Sequence, residues 1–530
     1  MHITTRKTLL GALVLAAGVA ACTDVTVEPK STVSSANIFS DTTSYKAFLA
    51  KIYGGLALTG QQGPAGNAST QDIKGIDEGF SHYLRLLWQM EELPTDEVAI
   101  AWGGDAGLTD MNTQLWSSNN QFLVAMYYRI YFQVGMANEF LRQTTPEQLA
   151  SRGVGGTLAS DIKTYRAEAR FLRALSYWHA IDLFGPVPLV TEENALGKTP
   201  PQQATRQQVY DFVVSELNAV RGDLPAPKGG QYGRADQGAV AMLLAKVYLN
   251  AGVYTGTPHY AEALAEVQKV IGSGAYSLDP NFIRMFRADN DKSPELIFVV
   301  PQDALHTQSY GGTTFLTHAA VGGSMDAGKL GLDGGWWGTR LKPEAYNLIT
   351  STGASDKRAS VLYTAGQTVA MPNLTDFTNG IGYLKFVNVT SSGGPPQGNQ
   401  FSDVDYPMFR LGDAYLMYAE LVLRGAGGTR AQALDYVNQL RRRAFGNNSG
   451  DITDAQLTLN FILDERGREL QWEGHRRTDL IRFDRFTTSG VWAWKGNVVT
   501  GKTTEAFRNL YPLPASELLA NPNLKQNPGY

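Results

Sequence analysis

Three tryptophans stand in glycine-rich surroundings: Trp102 in AIAWGGDAGLTD, and Trp336 with Trp337 in DGGWWGT. An indole offers a broad apolar face and one N–H donor, a combination suited to the face of a sugar ring whose hydroxyl edge still needs hydrogen bonds. The flanking glycines imply loops, and loops on a rigid frame are where binding residues concentrate. The alternative for each is a plug that packs its loop onto the scaffold, and adjacent tryptophans often divide the two roles. Trp178 and Trp472 lie in helical patterns and read as core.

Other residue patterns that suggest chemistry are weaker. GNVVTGKT, from Gly496 to Thr503, satisfies the P-loop spacing, but it follows SGVWAWK rather than a buried strand and Pro512 comes soon after it; it reads as a surface turn. The chain has neither an HExxH nor a GxSxG motif, and His475 sits among charges typical of a salt-bridged helix end. The acidic pairs Glu91/Glu92 and Asp96/Glu97 have the residue types that glycoside hydrolysis uses, two carboxylates flanking one bond. Asp289 with Asp291, and Asp403 with Asp405, lack the glycine and distal glutamate of an EF-hand loop, so metal binding stays unassigned and no cofactor is implied.

The single cysteine, Cys22, follows Arg6, Lys7 and an apolar or small run from Leu9 to Ala21. That run is shorter than the roughly 20 residues of a membrane-spanning helix and fits an export signal. Val19, Ala20 and Ala21 before Cys22 resemble the lipobox of bacterial lipoproteins, in which the cysteine carries the lipid. With no other thiol, an exported chain of 530 residues must rely on its core rather than on disulfides. A formal net charge of −4 with no concentrated basic stretch argues against a nucleic-acid partner.

Positioning of the tryptophans falls to a mainly α scaffold. Residues 22–40 are Ser/Thr-rich and unpatterned, as a lipidated tether would be, and helical spacing begins near Asp41. From Phe122 to Gly272 amphipathic helices follow one another, and QGAVAMLLAKVYLNAG with YAEALAEVQKVIGSG approximates a tetratricopeptide helix pair with an insertion at Thr255–His259. AYLMYAELVLRG with TRAQALDYVNQLRRRA is a second such pair; pairs of this kind bury their apolar faces by stacking. Between them, residues 276–406 carry ELIFVV, a short strand by pattern, and glycine-rich loops such as SYGGTTF. Four prolines from Pro512 to Pro528 make the chain's end an extended, ordered wrap. The expected organisation is a signal peptide (1–21), tether (22–40), N-terminal helical scaffold (41–275), loop-rich insertion containing short strands (276–406), and C-terminal helices with tail (407–530).

Six pieces, in order, resemble the SusD/RagB family: the lipoprotein start, AEARFLRALSYWHAIDLFGPVPLV, GRADQGAVAMLLAKVYLNAGVY, FRLGDAYLMYAELVLRG, ERGRELQWEGHRRTDLIRF and YPLPASELLANPNLKQNPGY. The resemblance spans essentially the whole mature chain. It implies a tetratricopeptide-like, non-enzymatic outer-membrane lipoprotein on the cell surface. Such a protein captures glycans or other nutrients and passes them to a TonB-dependent, SusC-like β-barrel transporter. It also implies a ligand site built from corresponding loops, which brings Asp105 and Tyr310 beside Trp102, Trp336 and Trp337. A glycoside hydrolase and a repeat scaffold that binds only protein are the two alternatives.

Overall fold

The computed structural model describes residues 38, 39, 41–60, 71–195, 197 and 199–530. The signal segment 1–21 and Cys22 lie outside the described residues, as does the tether apart from Ile38 and Phe39.

The helices that matter here are α1 (Ser44–Ala57), α2 (Tyr83–Glu92), α3 (Gln121–Gln143), α4 (Gly156–Leu183), α5 (Arg206–Val220), α6 (Gln237–Leu249), α7 (Tyr260–Gly272), α8 (Gly312–Ala319), α9 (Leu411–Leu423), α10 (Arg430–Phe445) and α11 (Leu459–Glu469). Their starts are chemically marked. Asn120 accepts from the N–H groups of Phe122 and Leu123 at the head of α3, and Thr205 with Gln208 closes a capping box on α5. At the end of α4 the chain reverses through Gly185 at φ 73°, where a Cβ would lie 2.8 Å from Leu510 Cδ1. The tail can therefore press directly on that turn.

Packing follows the helix-pair reading. α3 packs on α4, α4 on α5, α6 on α7, α7 on α9 and α9 on α10. α6 is buried along nearly its whole circumference, as expected for an apolar helix enclosed by neighbours. The tail is ordered and tied down: Tyr511 donates to the Met90 carbonyl (2.7 Å), and Asn527 Nδ2 donates to the carbonyls of Phe184 (2.8 Å) and Tyr511 (2.7 Å).

Six short strands matter here: β1 (Val98–Ile100), β2 (Leu296–Val300), β3 (Thr339–Leu341), β4 (Leu362–Thr368), β5 (Gly380–Tyr383) and β6 (Tyr406–Arg410). β1, β3, β5 and β4 form one antiparallel sheet in that order, and β2 pairs with β6. The sheet thus takes its edge strand from well before residue 276. One stretch read as loop is helical: α8 grows directly out of SYGGTTF and is buried throughout. Its glycines serve proximity, since a Cβ on Gly311 would lie 2.2 Å from His82 Cβ.

The central segment is also locked to the C-terminal helices by buried charge. Arg410 donates to Glu295 (2.9 Å), Glu469 (2.8 Å) and Glu473 (2.6 Å), with all four side chains at most 1% exposed. Arg443 bridges the same Glu295 and Glu469, while Arg358 joins Asp356 (2.7 Å) to Glu465 (2.9 Å). Glu465 also pairs with Arg468 one turn away at 2.8 Å, whereas the cations on Glu469 come from other segments.

Candidate functional site

Antiparallel pairing of β1 with β3 brings the two tryptophan loops together. Ile100 faces Thr339, so the chain leaving β1 and the chain entering β3 emerge at the same end of the sheet. The pairing continues with Ala101 N donating to the Gly338 carbonyl at 2.9 Å. Trp102 Nε1 then donates to the Trp336 carbonyl, also at 2.9 Å. Gly338 is required at this spot because a Cβ would sit 2.7 Å from Trp102 Cζ2.

The other side of Trp336 is fixed by α8. Trp336 N and Gly338 N donate to the carbonyls of His318 (2.9 Å) and Ala319 (2.8 Å) at the helix end. The buried His318 ring backs the Trp336 indole at 4.7 Å between ring centres. His318 Nδ1 lies 2.9 Å from the Thr314 carbonyl and Nε2 lies 3.2 Å from Asp333 Oδ1. Burial lowers the imidazole pKa below its ordinary value. Tyr310, just before α8, stands 6.1 Å from Trp336 and 5.4 Å from Phe401, and its hydroxyl accepts from Gln400 Nε2 at 2.8 Å.

Trp102, Tyr310 and Trp336 line an open groove of about 460 Å³ together with Asp77, Gly79, Phe80, Arg85 and Asp105. Its aromatic wall is faceted: Trp102 and Trp336 are tilted by 45° and Tyr310 and Trp336 by 59°. The structure therefore brings together Trp102, Asp105, Tyr310 and Trp336. Trp337 does not line this groove; it turns to a different face, where it is 50% exposed.

Arg85, like Asp77 and Phe80, lines the groove without any mark in the sequence. It projects from α2 and is 3% exposed, with its guanidinium carbon 4.4 Å from the Phe315 ring centre, 4.7 Å from Phe80 and 5.6 Å from Trp102. Nε and Nη2 have no hydrogen-bond acceptor among the described residues. Burial lowers its pKa to about 10, with Asp105, Asp77 and Glu78 pulling the other way, so it stays a cation at neutral pH. Partial burial raises the Asp105 carboxyl, and Arg85 opposes that shift. Aromatic faces beside a cation and the Asp105 carboxylate can hold the two kinds of surface a sugar presents, its apolar face and its hydroxyl edge.

The acidic pairs singled out for hydrolysis lie elsewhere. Glu91 contacts Arg477 (3.2 Å) and Thr478 (2.9 Å), Glu92 accepts from Gly474 N (2.6 Å), Asp96 pairs with Arg476 (2.7 Å), and Glu97 accepts from Trp472 N (3.1 Å). All four carboxylates hold the 472–478 segment against α2 and β1. Asp403 and Asp405 likewise accept from backbone: Ala304 N (2.9 Å) and Gln302 N (2.7 Å) respectively. The P-loop-like stretch is a turn with residues 497–500 exposed.

Comparison with known proteins decides the family. The SusD family model matches residues 259–530. A relative, the starch-binding protein SusD of Bacteroides thetaiotaomicron, is 33% identical, with 91% of each chain covered. The chain belongs to the SusD family. A second model, described as starch-binding associating with outer membrane, matches residues 80–249 of this SusD-family chain. The SusD-like protein P2 of Formosa agariphila is 26% identical over 81% of this chain and 85% of its own. Among solved structures, a SusD homolog from Bacteroides thetaiotaomicron superposes with a TM-score of 0.72 at 19% identity, covering 94% of this chain and 98% of that one. The surface glycan-binding protein A of the same organism, in complex with laminarihexaose, gives 0.69 at 20% identity over 92% and 99%. These superpositions establish the SusD fold, with its mainly α, helix-pair scaffold.

Proposed function

We propose that this SusD-family protein captures glycans in the groove of Trp102, Tyr310 and Trp336, without chemistry, and that its preferred ligand is a curved α-glucan of the starch type. The observation that carries the reading is the faceted aromatic wall beside Arg85. Rings tilted by 45° and 59° offer successive stacking planes to a chain that turns, and give a flat ribbon such as a β-1,4-glucan only one at a time. The name of the 33% identical relative, a starch-binding protein, supports the same class. Asp105 and Arg85 supply the hydroxyl contacts in this reading.

Calorimetric titration with maltoheptaose, laminarihexaose and cellohexaose tests it. Maltoheptaose is expected to bind, with cellohexaose at least about tenfold weaker, the discrimination that about 1.4 kcal/mol of lost contact gives. Binding of cellohexaose in preference to maltoheptaose would contradict the substrate class. Shortening of maltoheptaose during the titration would favour the glycoside hydrolase reading, and binding to the transporter with no glycan retained would favour the protein-only scaffold.

The family role completes the proposal: an outer-membrane lipoprotein, held at the surface through lipid on Cys22, hands the glycan to a TonB-dependent, SusC-like β-barrel. Among the described residues no helix is long and apolar enough to cross a membrane. Cell fractionation of Cys22→Ala is expected to move the protein out of the membrane fraction; full retention in cells lacking the transporter would refute the anchor.

A further inference from the structure

Trp337 is the next residue after Trp336, yet its indole serves a different surface. Its backbone is left-handed at φ 55°, a conformation that is an outlier for so bulky a residue. Such conformations persist where the surroundings impose them, as they do for the buried Trp472 at φ 64°. Here the surroundings are specific. Trp337 N donates to the Val321 carbonyl at 2.9 Å, and Phe377 lies behind the indole at 5.7 Å between ring centres. Gly322 leaves room for the ring: a Cβ there would stand 2.8 Å from Trp337 Cγ. One side of the indole is thus seated on backbone and Phe377, while half of the residue remains open to solvent. A plug would be covered. Two residues after Gly322, Ser324 bonds the Tyr363 hydroxyl at 2.9 Å and the Ala365 carbonyl at 3.1 Å on β4, where Thr364, Ala365 and Gly366 are exposed.

We propose that Trp337 is a second stacking platform, separate from the groove, that takes a pyranose face of the same polysaccharide. The inference rests on the glycan reading of the groove. Continuity commits it to that ligand, because a polymer stacked on Trp336 is already tethered one residue away. The two platforms then act on one chain: the groove sets affinity for short oligosaccharides, and Trp337 adds avidity once the ligand is long enough to reach both surfaces.

The experiment compares maltoheptaose titration with retardation in native gels containing soluble starch, for wild type, Trp337→Ala, Trp337→Phe, Trp102→Ala and the Trp102→Ala/Trp337→Ala double variant. Thermal unfolding of Trp337→Ala and of Trp337→Gly, which accepts the left-handed backbone, guards against loss of fold. Trp337→Ala is expected to keep its maltoheptaose affinity within about twofold and to lose about tenfold in apparent affinity for starch. Trp337→Phe should recover part of the retardation, and the double variant should show none. Wild-type retardation left unchanged by Trp337→Ala would overturn the platform alone. An equal loss for heptaose and polymer would place Trp337 in the groove and overturn its independence. Absence of any wild-type retardation or heptaose binding would overturn the α-glucan reading and the platform with it.

Discussion

Replacing Trp336 by alanine is expected to weaken glycan binding by about 30-fold or more, the loss of about 2 kcal/mol that marks an aromatic hot spot. Trp336 stands at the meeting point of the site, tilted toward Trp102 on one side and Tyr310 on the other. Its truncation removes one stacking plane and separates the remaining two. Its backbone is held by the His318 carbonyl and by Trp102 Nε1, neither of which involves the lost ring, so the loop should keep its path. Folding stability should therefore change less than for a fully buried tryptophan such as Trp472, whose removal is expected to cost about 3–5 kcal/mol. Arg85→Gln should weaken binding too, because it removes the cation on which Phe80, Phe315 and Trp102 pack. Titration paired with thermal melts reads both quantities; unchanged affinity in Trp336→Ala would remove the groove from the account.

The second large effect concerns the frame. Arg410→Met is expected to cost about 3–5 kcal/mol of stability, because it leaves buried carboxylates without their shared cation. Burial by itself would raise Glu469 and Glu473; the neighbouring cations overcome that, Arg443, Arg410 and Arg358 for the first and Arg410 with Lys385 for the second, and hold both below the usual carboxylate range. A depressed carboxylate contributes stability at pH above its unfolded value, near 4.3, and loses that contribution as pH falls through its folded value. Without Arg410 the same groups are pushed upward and find relief in protonation. The stability gap between wild type and Arg410→Met should accordingly narrow between pH 7 and pH 5, as measured by denaturant unfolding. A gap that stays constant would show that the network acts through packing rather than charge.

Much of this fold is legible in the sequence where a helix has one wet face. α5 is the segment RQQVYDFVVSELNAV, and both helix pairs around α6 and α9 follow the small-large pattern. Trp102 and Trp336 could be found because glycines isolate them from helical periodicity. Arg85 could not. Leu84, Leu87, Trp88 and Glu91 mark one face of α2, which leaves Arg85 on a flank that normally meets water. α2 is buried at every position, so its flank faces Phe315, Phe80 and the groove instead. His318 was hidden for a related reason: Gly311 and Gly312 suggest a loop, whereas close approach to His82 is what excludes a Cβ. Strand β1, only three residues long, carries too little alternation to reveal that it brings the Trp102 loop to Trp336.

The most direct test of the central claim is a crystal structure of the protein with maltoheptaose. Consecutive glucose rings are expected to stack across Trp102, Trp336 and Tyr310, with a hydroxyl within hydrogen-bonding distance of the Arg85 guanidinium. The molecule has another groove, of about 420 Å³ beside Tyr232, whose hydroxyl donates to Asp405 at 2.6 Å. Sugar found there, with the Trp336 face empty, would contradict the assignment.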